Sequence, residues 1–230
     1  MEPNLYNLLF KYQNTFNKVV PFDAKKNKLL KLDFTAANTE LTEDILLDTE
    51  AFSTYINNKL GNKYIYGIGG YDEHRTIYTR SSKFDGDEEP RRLHLGIDIW
   101  GKAGTPIYAP FGGYVHSFAF NKHFGDYGAT IILHHQMDTI SFNTLYGHLC
   151  VEDLAGLHEG KYITRGVEFA HFGEPEDNGH WPPHLHFQII KEMHQHKGDY
   201  PGVCKFSERE QYLLNSPDPD VILQMMEYAG

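Results

Sequence analysis

Residues 94–111 read HLGIDIWGKAGTPIYAPF and carry the strongest signal in the chain. They place His94 four residues before Asp98, with Gly96 between the two. An imidazole nitrogen and a carboxylate oxygen are both good zinc ligands, but in a straight strand residues four apart lie roughly 13 Å from each other. One ion cannot reach both at ligand distances of about 2 Å, so the segment is either helical or bent. The glycine, the β-branched neighbours and the following Gly-Thr-Pro turn favour a bent strand.

A second stretch, WPPHLHFQII at 181–190, supplies two more histidines. In a strand, His184 and His186 lie on one face about 7 Å apart. One of them can bind a metal, and the other then lies within reach of whatever the metal carries. His148, in LYGHL, adds a further histidine at a strand end. Two histidines and an aspartate leave one tetrahedral position open for water, which is the catalytic zinc arrangement.

Four motifs in a fixed order connect these stretches. They are HxGxD at 94–98, GTPxxAPxxGxV at 104–115, YGHL at 146–149 and HLHF at 184–187. Together they resemble the lysostaphin-like (LytM-type) zinc metalloendopeptidases over roughly residues 93–190, under half of the chain. Each motif alone is weak, whereas all four in this order are strongly specific. The resemblance implies one zinc ion per chain.

The same resemblance implies roles for five residues. His94, Asp98 and His186 are then the zinc ligands, and His148 and His184 are the catalytic pair beside the bound water. It also implies an antiparallel β-sheet with the metal in a groove on its face.

The composition limits the class of partner. The chain has 230 residues, 40% of them hydrophobic, and a formal net charge of -10, which indicates a globular chain and argues against binding to nucleic acid or to anionic membrane surfaces. Its two cysteines are simplest to interpret as reduced thiols. We find neither 18 consecutive apolar residues nor a signal-peptide core. The sequence therefore predicts a cytoplasmic protein, and it says nothing about the oligomeric state.

The pattern of elements predicts a mainly β fold. Short runs with frequent turn signals after Trp100 predict a compact antiparallel sheet or sandwich. Upstream, helical spacing near the N-terminus and a helix beginning at Thr42 and ending at Gly61 predict an α-helical extension. Asp218 and Pro219 predict a short C-terminal helix. We therefore predict an N-terminal extension at 1–88 and a metallopeptidase domain at 89–230.

Substrate-binding candidates come from three places. Arg75 and Arg92 precede the first motif, and either can clamp a carboxylate or phosphate of the substrate, although a solvated loop is the simpler interpretation. Tyr146 lies two residues before His148, so in a regular strand it shares the face of that histidine.

The acidic loop GEPEDNGHWPP at 173–183 leads into the HLHF motif and is expected to form a wall of the groove. It contributes His180 and Trp181 as further substrate-binding candidates. Gln188 stands where relatives commonly have a glutamate, so a charged partner of a ligand histidine is replaced by a neutral one.

The predicted function is zinc-dependent hydrolysis of an amide bond in a short peptide or a peptidoglycan-type peptide. Stretches such as DYGATIILHH and SPDPD resemble a cytoplasmic version of the module that occurs joined to kinase-like and aminotransferase modules, which implies a small substrate. Two alternatives stay open. One is a noncatalytic module that binds a peptide or partner, and the other is a zinc hydrolase of a small non-peptide cytoplasmic substrate.

Overall fold

The structure is a computed structural model that describes residues 4–86 and 88–230. Thirteen strands carry most of the regular structure in these residues. Their bounds are β1 Leu29–Lys31, β2 Tyr66–Gly69, β3 Glu73–His74, β4 Leu93–His94, β5 Ile97–Trp100, β6 Pro106–Tyr108, β7 Gly113–Asn121, β8 Gly128–Met137, β9 Ile140–Leu149, β10 Tyr162–Ile163, β11 Glu168–His171, β12 His184–Ile190 and β13 Val203–Cys204.

Helices are short and lie mostly at the two ends of the chain. The α-helices are α1 Leu5–Tyr12, α2 Glu43–Leu47, α3 Thr49–Leu60, α4 Arg209–Asn215 and α5 Asp220–Leu223. The 3-10 helices are Gln13–Thr15, Ile77–Arg80, Ser82–Phe84, Val151–Leu154, Phe206–Glu208 and Met226–Tyr228. Within residues 4–86 and 88–230, no helix combines the length and apolar character that crossing a bilayer requires.

The helix predicted between Thr42 and Gly61 is divided in two. Asp48 leaves the helical conformation, and its side chain accepts a hydrogen bond from the backbone of Ala51 at 2.8 Å, so it caps a second helix. Gly61, with φ of 51°, ends that helix as predicted. The short C-terminal helix is also confirmed, at Asp220–Leu223.

A single large sheet organises the molecule, and the mainly β prediction is confirmed. Its eight strands run in the order β1-β2-β5-β12-β9-β8-β7-β10, and all neighbours are antiparallel except β1 and β2. Strands β1 and β2 come from the region upstream of the motifs, so that region supplies strands as well as helices. The boundary between 1–88 and 89–230 stays a prediction.

The bend predicted around Gly96 is present. His94 ends β4, which belongs to a three-stranded sheet in the order β13-β4-β3, whereas Asp98 lies on β5 of the large sheet. Because the chain changes sheets between the two residues, their side chains can converge although they are only four positions apart. The sequence argument for a bent strand over a helix is thus confirmed.

Strand β12 separates two environments. Leu185, Phe187 and Ile189 face the main hydrophobic core. On the opposite face lie His184 and His186, as the alternation of a strand requires. Over that face, a second hydrophobic cluster joins upstream residues to the large sheet; among its members are Phe34, Phe52, Ile77, Tyr78, Phe84, Trp100 and Trp181. The upstream region therefore covers the histidine-bearing face.

Candidate metal centre and active-site cleft

Three predicted ligand atoms converge at one point. His94 Nε2 lies 2.9 Å from His186 Nδ1 and 3.3 Å from Asp98 Oδ1. His186 Nδ1 lies 3.0 Å from the same carboxylate oxygen. All three side chains are buried, and they form one of two groups of potential metal-binding side chains in the described residues. The second group, Cys150, Glu152 and Asp177, is partly exposed.

Strand register and one glycine bring these ligands together. In the antiparallel pair of β12 and β5, His186 stands directly opposite Asp98. A Cβ atom on Gly96 would lie 2.5 Å from Cε1 of His186, closer than any side chain tolerates. Only glycine at this position therefore leaves room for the imidazole ring.

The outer nitrogens of both ligand histidines are committed to protein acceptors. His94 Nδ1 donates to the Gly70 carbonyl at 3.0 Å, and His186 Nε2 donates to Gln188 Oε1 at 3.0 Å. The amide nitrogen of Gln188 donates to the Pro201 carbonyl at 3.2 Å, which fixes which end of that amide faces the histidine. Each ring then turns its other nitrogen, Nε2 of His94 and Nδ1 of His186, toward the shared point. These nitrogens and the carboxylate oxygen face one another.

This arrangement fits a cation. Ligands about 2.0–2.1 Å from a tetrahedral zinc ion lie roughly 3.3 Å from one another, close to the spacings of these three atoms. Burial lowers the pKa of His94 to about 3, so the ring is neutral and can coordinate. Burial alone would raise the pKa of Asp98, but the adjoining Arg75 guanidinium favours the charged carboxylate and helps to hold that pKa well below its usual value.

His148 and His184 form a second pair beside the ligands, with ring centroids 4.0 Å apart. Nδ1 of His148 donates to the Asn178 carbonyl and Nδ1 of His184 to the Pro182 carbonyl, both at 2.8 Å. Each ring therefore keeps Nε2 as its proton-accepting nitrogen. Burial lowers the pKa of His148 to about 3 and takes the pKa of His184 well below its usual value, so both rings are neutral.

Tyr146 lies away from this pair, contrary to the expectation that it shares the face of His148. It stands opposite Phe187 in the register, on the core side of the sheet, and its hydroxyl accepts a hydrogen bond from Thr144 at 3.1 Å. The regular alternation fails because the pairing of β8 and β9 shifts near Ala129 and because His148 has φ of 64°. These irregularities turn the His148 side chain toward the other face.

Asp98, His186 and the histidine pair line one open cleft of about 670 Å³, a volume that includes solvent space at its mouth. One wall comes from the upstream region and includes Ile77, Tyr78, Lys83, Phe84 and Arg91. Other walls come from 125–127, from Trp181 and from 199–203. The groove expected on the sheet face is therefore walled on several sides.

Neither predicted substrate arginine lines the cleft. Arg75 is fully buried under Asp98, with which it forms an ion pair. Arg92 pairs with Asp85 at 2.6 Å and donates to the Phe84 carbonyl. An arginine that does line the cleft is Arg91, which directly precedes the predicted Arg92.

Of the two candidates in the loop 173–183, Trp181 lines the cleft and His180 does not. Trp181 is buried in the cleft wall, as expected of a residue leading into the HLHF motif. His180 is exposed, stacks on Phe124 with ring centroids 5.7 Å apart and is not part of the lining.

Two residues contribute to the site although the sequence did not predict them. Tyr127 packs its ring beside His148 and His186, and its hydroxyl lies 3.4 Å from Nε2 of His186. Trp100 stacks on His184 at 3.9 Å between centroids. An aromatic residue within an apolar run is usually core packing, so no local signal marks either of them.

Comparison with known proteins agrees with this geometry. Residues 92–198 match the profile of the family described as peptidase family M23. The match covers just under half of the chain and supports a peptidase M23 domain of the lysostaphin-like type over that segment. It also supports a metallopeptidase-type activity at the level of the family. No curated protein matches the chain.

Solved structures with some likeness include three bacterial proteins. The catalytic domain of lysostaphin from Staphylococcus simulans is 21% identical over 75% of this chain and 97% of its own, with a TM-score of 0.43. A zinc-containing peptidase from Vibrio cholerae is 25% identical over 43% of this chain, with a TM-score of 0.34, and the chain covers 27% of that protein. Csd3 from Helicobacter pylori is 24% identical over 54% of this chain and 32% of its own, with a TM-score of 0.35.

Proposed function

We propose that this protein is a zinc-dependent hydrolase that cleaves an amide bond in a short peptide or a small amide. The observation that carries the proposal is the convergence of three potential ligand atoms, 2.9–3.3 Å apart, beside the pair His148 and His184. The peptidase M23 match over 92–198 supports the same reaction class.

His94, Asp98 and His186 would hold one zinc ion per chain. Such an ion supplies Lewis acidity and lowers the pKa of a bound water molecule toward about 7. Gln188 contributes by fixing the tautomer of His186, since it accepts the proton of the outer nitrogen at 3.0 Å. A neutral partner does this without adding negative charge to the centre.

His148 and His184 would handle protons. Backbone carbonyls hold their Nδ1 protons, so Nε2 of each ring is the nitrogen that accepts a proton from water or donates one to the leaving amine. Stacking of His184 on Trp100 fixes its ring plane. In the neutral form each ring carries its proton on Nδ1, where a backbone carbonyl holds it. Each ring must therefore accept a proton at Nε2 before it can donate one from that atom.

The walls favour a small substrate. Upstream residues Tyr78 and Phe84 and the segment 199–203 line the cleft around the catalytic histidines, so the space at the reacting bond is bounded on several sides. Walls on several sides suit a short peptide or a small amide better than a long, cross-linked strand. The resemblance to the version joined to aminotransferase modules supports the same choice and is part of the proposal.

The test is hydrolysis of a panel of short peptides and amides by the zinc-loaded protein, beside His148→Ala and His184→Ala variants. We expect the wild type to release amine, and each variant to retain zinc while its turnover falls by about 10²–10⁴. A protein that binds zinc and a peptide equally well in wild type and variants, and cleaves nothing, would instead be a noncatalytic binding module. If the protein cleaves only non-peptide amides, the alternative of a zinc hydrolase with a small non-peptide substrate is favoured instead.

A further inference from the structure

Arg75 lies beneath the candidate metal centre, at a place where no motif residue stands. Its side chain is fully buried, forms a short ion pair through Nη1 with Asp98 Oδ2, and donates from Nε to Glu73 Oε2 at 2.7 Å. The guanidinium also lies 5.3 Å from the ring centroid of Phe34. A buried cation held by two carboxylates and a ring has little freedom to move.

The two oxygens of Asp98 consequently face different partners. Oδ1 lies 3.3 Å from His94 Nε2 and 3.0 Å from His186 Nδ1, whereas Oδ2 is in contact with Arg75. A free carboxylate can offer both oxygens to a metal ion, which would use two coordination positions instead of one. With one oxygen occupied by a guanidinium, only the other is available.

We propose that Arg75 is a positioning residue that keeps Asp98 a one-oxygen ligand and so keeps one metal position free for the reaction. The inference rests on the proposed function, since it concerns the same centre. It assigns to Arg75 a role different from the substrate clamp that its sequence position suggested.

The support from this part of the chain extends beyond one arginine. The Gly70 carbonyl holds the outer nitrogen of His94 at 3.0 Å, and the backbone N–H of Asp72 donates to the His94 carbonyl at 2.9 Å. Glu73 in turn orients Arg75. Residues 70–75 thus hold two of the three ligands from behind, although they lie outside the matched segment 92–198. The M23 segment alone would lack these contacts.

The decisive experiment uses cobalt(II) as the probe, because its visible absorption is strong in a four-coordinate site and weak at higher coordination number. The full-length protein is compared with Arg75→Met, and Arg92→Met is the matched control. Arg92 is also a buried arginine just upstream of the first motif, but it pairs with Asp85 and contacts no ligand.

We expect Arg75→Met to bind cobalt with several-fold weaker visible absorption, and we expect free guanidinium to restore that absorption by filling the vacated space. Arg92→Met should keep the wild-type spectrum. With a cleavable peptide, Arg75→Met should lower kcat and leave KM nearly unchanged. If Arg75→Met folds poorly by circular dichroism, Arg75→Lys replaces it, because an ammonium group lacks the planar fork and should also weaken the absorption.

Each outcome separates this inference from the proposed function. A wild-type spectrum in folded Arg75→Met or Arg75→Lys overturns the role of Arg75 and leaves the hydrolase standing. An altered spectrum that guanidinium restores, in a protein that cuts no peptide, upholds the role of Arg75 and overturns the hydrolase. If the wild type takes up no cobalt, both proposals fail.

Discussion

The motif-bearing region, residues 92–198, and the region upstream of it contribute to the same cleft in different ways. The motif region supplies the ligand atoms of His94, Asp98 and His186 and the Nε2 atoms of His148 and His184. Among the described residues, the upstream region supplies none of these atoms. It supplies contacts behind the ligands through 70–75 and a wall through Ile77, Tyr78, Lys83 and Phe84.

The difference shows where chemistry and support reside. Removing a motif side chain takes away a reacting or coordinating atom, so its effect should be large. Removing an upstream side chain leaves every such atom in place and changes how that atom is held or oriented. Substitutions in the two regions should therefore differ in size, and the following predictions test that ranking.

The largest effect is expected for Asp98→Ala in the motif region. It removes one of three ligands and leaves the Arg75 guanidinium buried without its partner. We expect zinc content to fall from one ion per chain to none, measured by elemental analysis after gel filtration. Glu152→Ala, in the second, partly exposed group of potential metal-binding side chains, is the control and should retain the ion. Stoichiometric zinc in Asp98→Ala would remove this residue from the ligand set.

Acid should destabilise the metal-free protein, and buried histidines of the motif region contribute to this loss. Burial lowers the pKa of His94 and His148 to about 3 and that of His135 to about 4. Histidine in the unfolded chain has a pKa near 6.5, so it becomes protonated as the pH falls below that value. The buried rings of the folded protein stay neutral, so acid favours the unfolded state. Stability is then lost by about 2 kcal/mol per histidine at pH 5.

Urea unfolding of the chelated protein at pH 7.5 and pH 5 measures this loss. His135→Gln should reduce the difference between the two conditions by one histidine's share. His74→Gln, which removes the only upstream histidine, an exposed one, should leave it unchanged. Equal stability at both pH values would show that the buried rings do not stay neutral.

Gly96→Ala should have an intermediate effect. Its Cβ would meet the His186 ring at 2.5 Å and the Phe187 carbonyl oxygen at 2.8 Å, so a ligand or the strand must shift. We expect a loss of about 1–3 kcal/mol in the free energy of unfolding, together with weaker zinc binding. Isothermal titration and denaturant unfolding measure the two effects. Unchanged zinc affinity would mean that the ring does not need this space.

The smallest effect is expected upstream, for Glu73→Gln. The amide keeps an acceptor for Nε of Arg75 but loses the charge, and Asp98 still holds the guanidinium. We expect zinc content to stay at one ion per chain and stability to fall by about 1 kcal/mol or less. Glu40→Gln, which alters an exposed pair with Lys59, is the control. Loss of the ion in Glu73→Gln would place the upstream region on a level with the motif region.

Sequence could predict the parts of the fold that follow local rules. Gly96 between two ligand types required a bend, and the bend is present. The period of two in β12 placed His184 and His186 on one face and Leu185 on the other, as observed. Short strands with frequent turns predicted the β-rich core.

The remaining parts depend on irregular geometry or on distant partners. Tyr146 and His148 should share a face by the same period of two, but a shift in pairing and a positive φ at His148 separate them. The partner of Arg75 is 23 positions away, and a buried ion pair leaves no trace in the pattern of either residue. Packing of upstream helices over the histidine face is likewise a property of the folded chain alone.

The change of sheet between His94 and Asp98 has a mechanical consequence. A metal ion held by both residues would cross-link the three-stranded sheet to the large sheet. The three-stranded sheet includes β3, which adjoins Arg75, and β13, which adjoins the cleft segment 199–203. Removal of the ion would therefore weaken the connection between the two sheets, and the shape of the cleft would change along with its chemistry.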